Sequence, residues 1–393
     1  MALLDQPDHE RELITVEHFT NLSAEINYNL SAKRADEDEA LLALLLGPAR
    51  FNDIQPLLMA MKTIRLGYGD TRRKIGPLAV LHPLRTSALI SRTMINPGLF
   101  DLLLAMLHDK GEDLPMEMVA EDKKNAFKDS YQLLLDHLGV AKGDRLDHMI
   151  QVLTQEYELG YFGYLMQLID KAKEMPELLH VKLADRLDNT LDNHIGRPGV
   201  LHYNFFRSVF DLLFVPVYKG VNIRQYHFLP SPEEGSLLLS QLFKNAVFLS
   251  LLRHEAVDKL DTTTERLFDA VAIASIREAQ WIALELFAEY QNREGVEKLR
   301  QLVIDTMAYS IAGGATDIRS GGIEQGVDGL ILNNFVVTER KVRRSRMNKL
   351  FANHELLTTT IVTLIATFAS FLNDPEFAIR GIDRDGIKPV EKK

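Results

Sequence analysis

The chain has 393 residues, no cysteine and a formal net charge of −10, with ordinary charged (25%) and apolar (46%) fractions. These values exclude cysteine-ligated zinc and a disulfide framework, disfavour broad nucleic-acid binding, and suit two or three domains or one domain with a large appendage. No charged-then-apolar leader follows Met1, so the expectation is an intracellular, cytoplasmic enzyme.

Taken in chain order, the elements read as helices. An acidic and then leucine-rich segment predicts a helix over 36–46, within an N-terminal extension (1–52) that packs on the core. Arg65, Arg72, Arg73 and Lys74 then gather positive charge, the local patch that an anionic substrate needs on an acidic protein. Pro83 fits the first position of a helix over 83–93, which leaves His82 at its mouth, partly exposed and free to ligate. Leu99, Leu102, Leu103, Ala105, Met106 and Leu107 form a run apolar enough for a buried helix, and Gly111 and Pro115 mark its end. His108 and Asp109 stand near that end, where both can lean toward a metal beside the axis. Glu112 and Asp113 follow one turn on if the helix continues so far, facing the negative end of its dipole, where a bound cation offsets the cost. Leu183, Ala184, Leu187 and Leu191 have the spacing of one buried face, and Asp185 and Asn189 lie i, i+4 on an adjacent face.

The punctuation at Pro230, Ser231, Pro232 and Gly235 marks a break between a domain at 53–229 and a helical C-terminal region at 236–393. In the latter, 237–252, 264–290, 296–312 and 354–372 show helical periodicity. The most apolar stretch, 361–372, is too short to span a bilayer and is interrupted by Thr363, Thr367 and Ser370, so a buried helix is expected and no membrane contact. The glycines at Gly313, Gly314, Gly321, Gly322, Gly326 and Gly329 lack the Gly-Lys-Ser/Thr ending of a phosphate loop and read as a mobile loop. The run Arg340, Lys341, Arg343, Arg344, Arg346, Lys349 reads as a solvated helix face. The fold class is all-α.

Any one of these polar residues alone is ordinary, and composition alone yields about one His-Asp pair in such a chain. Their joint occurrence in order, each in helical context, is what points to chemistry. His82, His108, Asp109 and Asp185 offer two imidazoles and two carboxylates without a thiolate, a set that favours manganese, iron or zinc over calcium or magnesium. Glu112 and Asp113 add carboxylates to handle a proton, and Asn189 an amide to orient a ligand.

These segments resemble the hydrolase half of the RelA/SpoT alarmone enzymes, a branch of the HD-domain superfamily. The likeness rests on Arg73-Lys74-Ile75-Gly76, His82-Pro83, His108-Asp109-Lys110-Gly111-Glu112-Asp113 and Lys182-Leu183-Ala184-Asp185-Arg186-Leu187-Asp188-Asn189, and covers about residues 53–193. It implies an HD-type helical hydrolase core in which His82, His108, Asp109 and Asp185 hold one metal ion, usually manganese. Glu112 and Asp113 would position and activate the attacking water, Arg73 and Lys74 would flank the nucleotide, and Asn189 would hold the ligand or a group behind it. The implied reaction removes the 3′-pyrophosphate of guanosine tetra- or pentaphosphate (ppGpp or pppGpp) to give GDP or GTP. Asp188 stands where many members have histidine, and the residues after Asn189 follow another pattern, which leaves the base pocket open. The middle segment is more similar to hydrolase-only relatives. Alternatives are a phosphohydrolase of another nucleotide, adenosine-based or deoxy, and a nucleotide-binding signalling protein. The C-terminal helices would then serve homo-oligomerisation or control.

Overall fold

The computed structural model describes residues 16–31, 37–73, 77–94, 96–155, 160–192, 232–256, 260–291, 304–305, 308, 339–352, 354–374, 376–377, 379, 382–383 and 386–387. Among them the architecture is helical, as the periodicity predicts. The N-terminal helices are α1 (Val16–Ser31), α2 (Glu37–Leu46) and α3 (Gln55–Tyr68). The motifs fall on α4 (Leu81–Thr93), α5 (Leu99–Leu107), the single turn α6 (Lys110–Asp113) and α10 (Glu177–Asp192), with α7 (Lys124–Leu138), α8 (Val140–Leu153) and α9 (Gly160–Ala172) between them. Then come α11 (Pro232–Ala256), α12 (Thr262–Gln291), α13 (Arg340–Ala352) and α14 (His354–Asn373). Extended structure among the described residues amounts to an antiparallel pair of two-residue strands, β1 (Ile382–Asp383) and β2 (Gly386–Ile387), and one bridge between Arg72 and Leu78.

Helix α5 is apolar all round, and such a helix belongs in an interior. Leu102, Leu103, Leu104 and Ala105 are fully buried between α3, α4, α8 and α10. Its start is closed by Asp101, whose carboxylate accepts from the Gly98 backbone N–H at 2.9 Å. It ends at Leu107, before the His-Asp pair, and α6 starts afresh after Asp109. Glu112 and Asp113 therefore do not ride on an extension of α5, which settles the condition that the sequence left open. Helix α4 also starts earlier than expected. Pro83 is its third residue, still in the first turn, where a missing N–H breaks no helical bond. His82 lies inside the helix and is buried, at 4% exposure, rather than partly exposed at a mouth.

One apolar core takes in Ile26 of α1, Leu45 of α2, Leu84 of α4, Leu183 of α10, Phe248 of α11, Val271 of α12 and Phe368 of α14. Each such fully buried side chain stabilises the fold by about 1.5–3 kcal/mol. The helices on both sides of residues 193–231 share that core. Pro232 opens α11 and Gly235 lies within it, so the turn residues there start a helix that was expected only from 237. Polar ties reinforce the joint. The Arg186 Nε donates to Asn245 Oδ1 at 2.7 Å, and Asn245 Nδ2 donates to Thr190 and Ser275 hydroxyls at 2.9 and 2.8 Å. No described helix is long and apolar enough to cross a membrane. The expected helix over 296–312, apart from residues 304–305 and 308, and the glycine-dense segment 313–329 lie outside the described residues.

Candidate metal centre

Three elements converge beneath the surface: the first turn of α4, the turn joining α5 to α6, and the middle of α10. On α10, Asp185, Asp188, Asn189 and Asp192 recur at intervals of three and four, so they share one face, and that face meets α4. His82 Nε2 lies 3.2 Å from Asp109 Oδ2 and 3.3 Å from Asp185 Oδ1. His108 Nε2 lies 3.2 Å from Asp109 Oδ1 and 3.9 Å from Asp185 Oδ1. The two Nε2 atoms are themselves 3.2 Å apart.

The other ring nitrogens explain this orientation. His108 Nδ1 is 2.8 Å from the Ala105 carbonyl, which can only accept, so Nδ1 carries the proton. His82 Nδ1 is 2.6 Å from Asp188 Oδ2, an acceptor when ionised. In the neutral rings both Nε2 atoms therefore present lone pairs to each other and to two carboxylates. Acceptors alone repel, so the arrangement needs protons or a cation among them. Imidazoles whose outer N–H is fixed by a carbonyl or carboxylate are the usual dress of metal ligands. His82, His108 and Asp109 can hold a metal ion, with one donor atom from each all within 4.8 Å of the others. Asp185 lies at the edge of that group, and both its oxygens already accept: Oδ1 from Asn189, Oδ2 from Lys182 Nζ at 3.0 Å.

The electrostatics follow. Burial disfavours the imidazolium forms, and Arg73 adds to this at His82, yet the carboxylates prevail and hold His82 well above and His108 above the usual histidine range. Burial works against ionised Asp109 and Asp185 as well. Even so, the histidines hold Asp109 far below the ordinary carboxylate range, and Lys182 with the histidines does the same for Asp185. A metal ion among these donors would offset this concentration of negative charge.

Behind His82 lies a second layer that the sequence did not reveal. Asp188, fully buried, accepts from Arg85 Nε at 2.7 Å and Nη2 at 3.0 Å as well as bonding His82. Burial raises its pKa, but Arg85 and His82 outweigh that and lower it to about 2. Arg85 also pairs with Asp192 at 2.7 Å, reaches Ser23 Oγ at 3.2 Å and lies over the Phe19 ring of α1. Asp188 is thus the group that fixes the His82 ring.

Arg73 is drawn into the same network. Its Nη2 donates to Asn189 Oδ1 at 2.7 Å, and its Nη1 lies 2.9 Å from Asp192 and 3.5 Å from Asp188. Asn189 passes this contact on to Asp185 through its amide N–H. The structure brings Arg73 and Asn189 to the metal centre as supports of α10. Lys74 lies outside the described residues.

Glu112 and Asp113 stand beside the centre on α6, both with solvent access. Glu112 Oε1 accepts from the Gln155 backbone N–H at 2.7 Å, and Asp113 Oδ2 from the Tyr68 hydroxyl at 3.1 Å. Desolvation raises both carboxyls; the Asp109 charge adds to this at Asp113, and Lys182 offsets part of it at Glu112. The turn that carries them is set by Gly111: a Cβ there would lie 2.2 Å from Thr154 Oγ1. A side chain would push α6 off α8.

No family model, curated protein or solved structure matches the chain.

Proposed function

We propose that the chain is a metal-dependent phosphohydrolase with an HD-type core, which removes the 3′-pyrophosphate of ppGpp or pppGpp to give GDP or GTP. The observation that carries this reading is the pair of imidazole Nε2 atoms, each fixed from behind and turned onto Asp109. His82, His108 and Asp109, with Asp185 as the fourth donor, would hold the ion, which the resemblance gives as manganese. Such an ion, when bound, supplies Lewis acidity toward a phosphoryl oxygen and lowers the pKa of a water. Glu112 and Asp113, their affinity for a proton increased by desolvation, are suited to accept one from that water and return it. Tyr68 and the Gln155 N–H hold these carboxylates in place, while Asp188 and Arg85 keep His82 from turning. Lys182, beside Asp185 and over the Tyr164 ring, limits repulsion between the acidic site and an anionic substrate.

The test is incubation of purified, manganese-loaded protein with ppGpp, following GDP and pyrophosphate. Absence of turnover with metal demonstrably bound would sink the reading. A panel of an adenosine 3′-pyrophosphate analogue and deoxynucleotides separates the guanosine substrate from the other nucleotides, and tight binding without product identifies a nucleotide-binding signalling protein instead. A cytoplasmic location and self-association through the C-terminal helices belong to the same reading. Sedimentation of the full chain tests the latter.

A further inference from the structure

Far along the chain from the metal centre, α13 presents an unusual face. Its thirteen residues include six lysines or arginines and no acid, in a chain whose net charge is −10. Met347 and Leu350 are buried and fix the helix against α11 and α14. The opposite side is therefore held outward in one orientation. There Lys341, Arg344, Ser345, Asn348, Lys349 and Ala352 line a shallow concavity of about 450 Å³ that is broadly open to solvent. Five of those six side chains can donate hydrogen bonds, three are cationic, and none is a carboxylate. The concavity and a described lining rich in hydrogen-bond donors and without a carboxylate agree.

We propose that this concavity binds a small polyphosphate, such as the phosphate chain of a nucleotide, at a site distinct from the metal centre. An acceptor-only, multiply charged group matches a wall made of donors. A long nucleic acid fits less well, because the negative charge of the whole molecule repels it beyond the footprint of α13. The proposal stands whether or not the metal centre hydrolyses anything.

The experiment is calorimetric titration of the full chain with inorganic tripolyphosphate, in the wild type, in Asp109→Ala and in the double variant Lys341→Glu/Lys349→Glu. Both lysines are exposed, so the double variant retains its helical circular dichroism; Lys341→Gln/Lys349→Gln provides a milder second test. The expectation is salt-sensitive binding that Asp109→Ala preserves and that the double Glu variant weakens by more than about tenfold, from the loss of two charge-assisted contacts. Binding that survives charge reversal, or that disappears with Asp109→Ala, overturns the proposal. So does a preference for single-stranded RNA over tripolyphosphate at equal phosphate concentration, which would make α13 a nucleic-acid contact.

Discussion

Two clusters of buried histidine and carboxylate share this fold, and they are built to opposite ends. In the candidate metal centre two imidazoles give one nitrogen each to a fixed acceptor and leave the other facing more acceptors, 3.2 Å from its twin. At the start of α10, His180 uses both nitrogens: Nδ1 lies 2.7 Å from Asp101 Oδ1 and Nε2 lies 3.1 Å from Asp261. Asp101 closes the start of α5 and Asp261 caps α12 through the Thr263 and Thr264 N–H groups. One protonated ring thus ties three helices and leaves nothing unsatisfied. Burial and acidic neighbours alone therefore do not single out a candidate ligand. What sets the first cluster apart is two ring nitrogens facing each other at 3.2 Å, an approach that a proton on each cannot reconcile.

The strongest test of that contrast removes a shared donor. Asp109→Ala should lower divalent-metal affinity by more than about a hundredfold, beyond what loss of an outer partner produces, as read by calorimetry with manganese or zinc. A matching Asp261→Ala should leave metal binding unchanged. Equal metal affinity in Asp109→Ala and wild type would place the ion elsewhere.

Next comes the layer behind the ligands. Asp188→Asn should weaken metal binding about 10–100-fold by freeing the His82 ring. It should also destabilise the fold by about 3–5 kcal/mol, because Arg85 loses a partner in a fully buried pair. Denaturant melts of the metal-free protein read the second effect apart from the first. Normal metal affinity together with the full stability loss would reduce Asp188 to a partner of Arg85 alone.

A smaller effect is expected at Gly111, where the packing of α6 is decided. Gly111→Ala should cost about 1–3 kcal/mol from overpacking against Thr154 and slow the proposed phosphohydrolysis while leaving metal affinity near wild type, because His108 and Asp109 precede the displaced turn. Adding Thr154→Ala, which clears the nearest atoms, should restore much of both. A double variant no better than the single one would show that α6 is held by something other than this contact.

How much of this was legible in the sequence follows from range. The helices were readable from local periodicity, and so was the grouping of His108 with Asp109 and of Asp185 with Asn189, whose spacings are set within a single element. The role of Asp188 was not. It stands three residues after Asp185, but only the packing of α10 against α4 puts it behind His82, and that packing is set by apolar residues scattered over the chain. The ties of Arg73 to Asn189 and Asp192 on α10 were hidden for the same reason. Whether the helix before His108 ran on to Glu112 and Asp113 stayed open in the sequence, because the break after Leu107 carries no proline or glycine. The pairing of His180 with Asp101 and Asp261, 79 and 81 residues away, left no local trace at all.

The smallest effect separates the two clusters by proton rather than by metal. Burial disfavours charge on His180, but its bonds to Asp101 and the charges of Asp101 and Asp261 raise its pKa in the folded state. A histidine raised above its unfolded value of about 6.5 stabilises fully below that pH, and loses its contribution as pH rises through the folded value. Neutral His180 can keep one N–H bond, leaving its other nitrogen as a lone pair against a carboxylate. Metal-loaded protein should therefore melt at lower temperature as pH rises above about 6.5. His180→Gln, which keeps a donor but cannot titrate, should show a flatter profile. If the slope is the same in the variant, the contact between α5, α10 and α12 does not depend on a proton, and the two clusters differ in geometry alone.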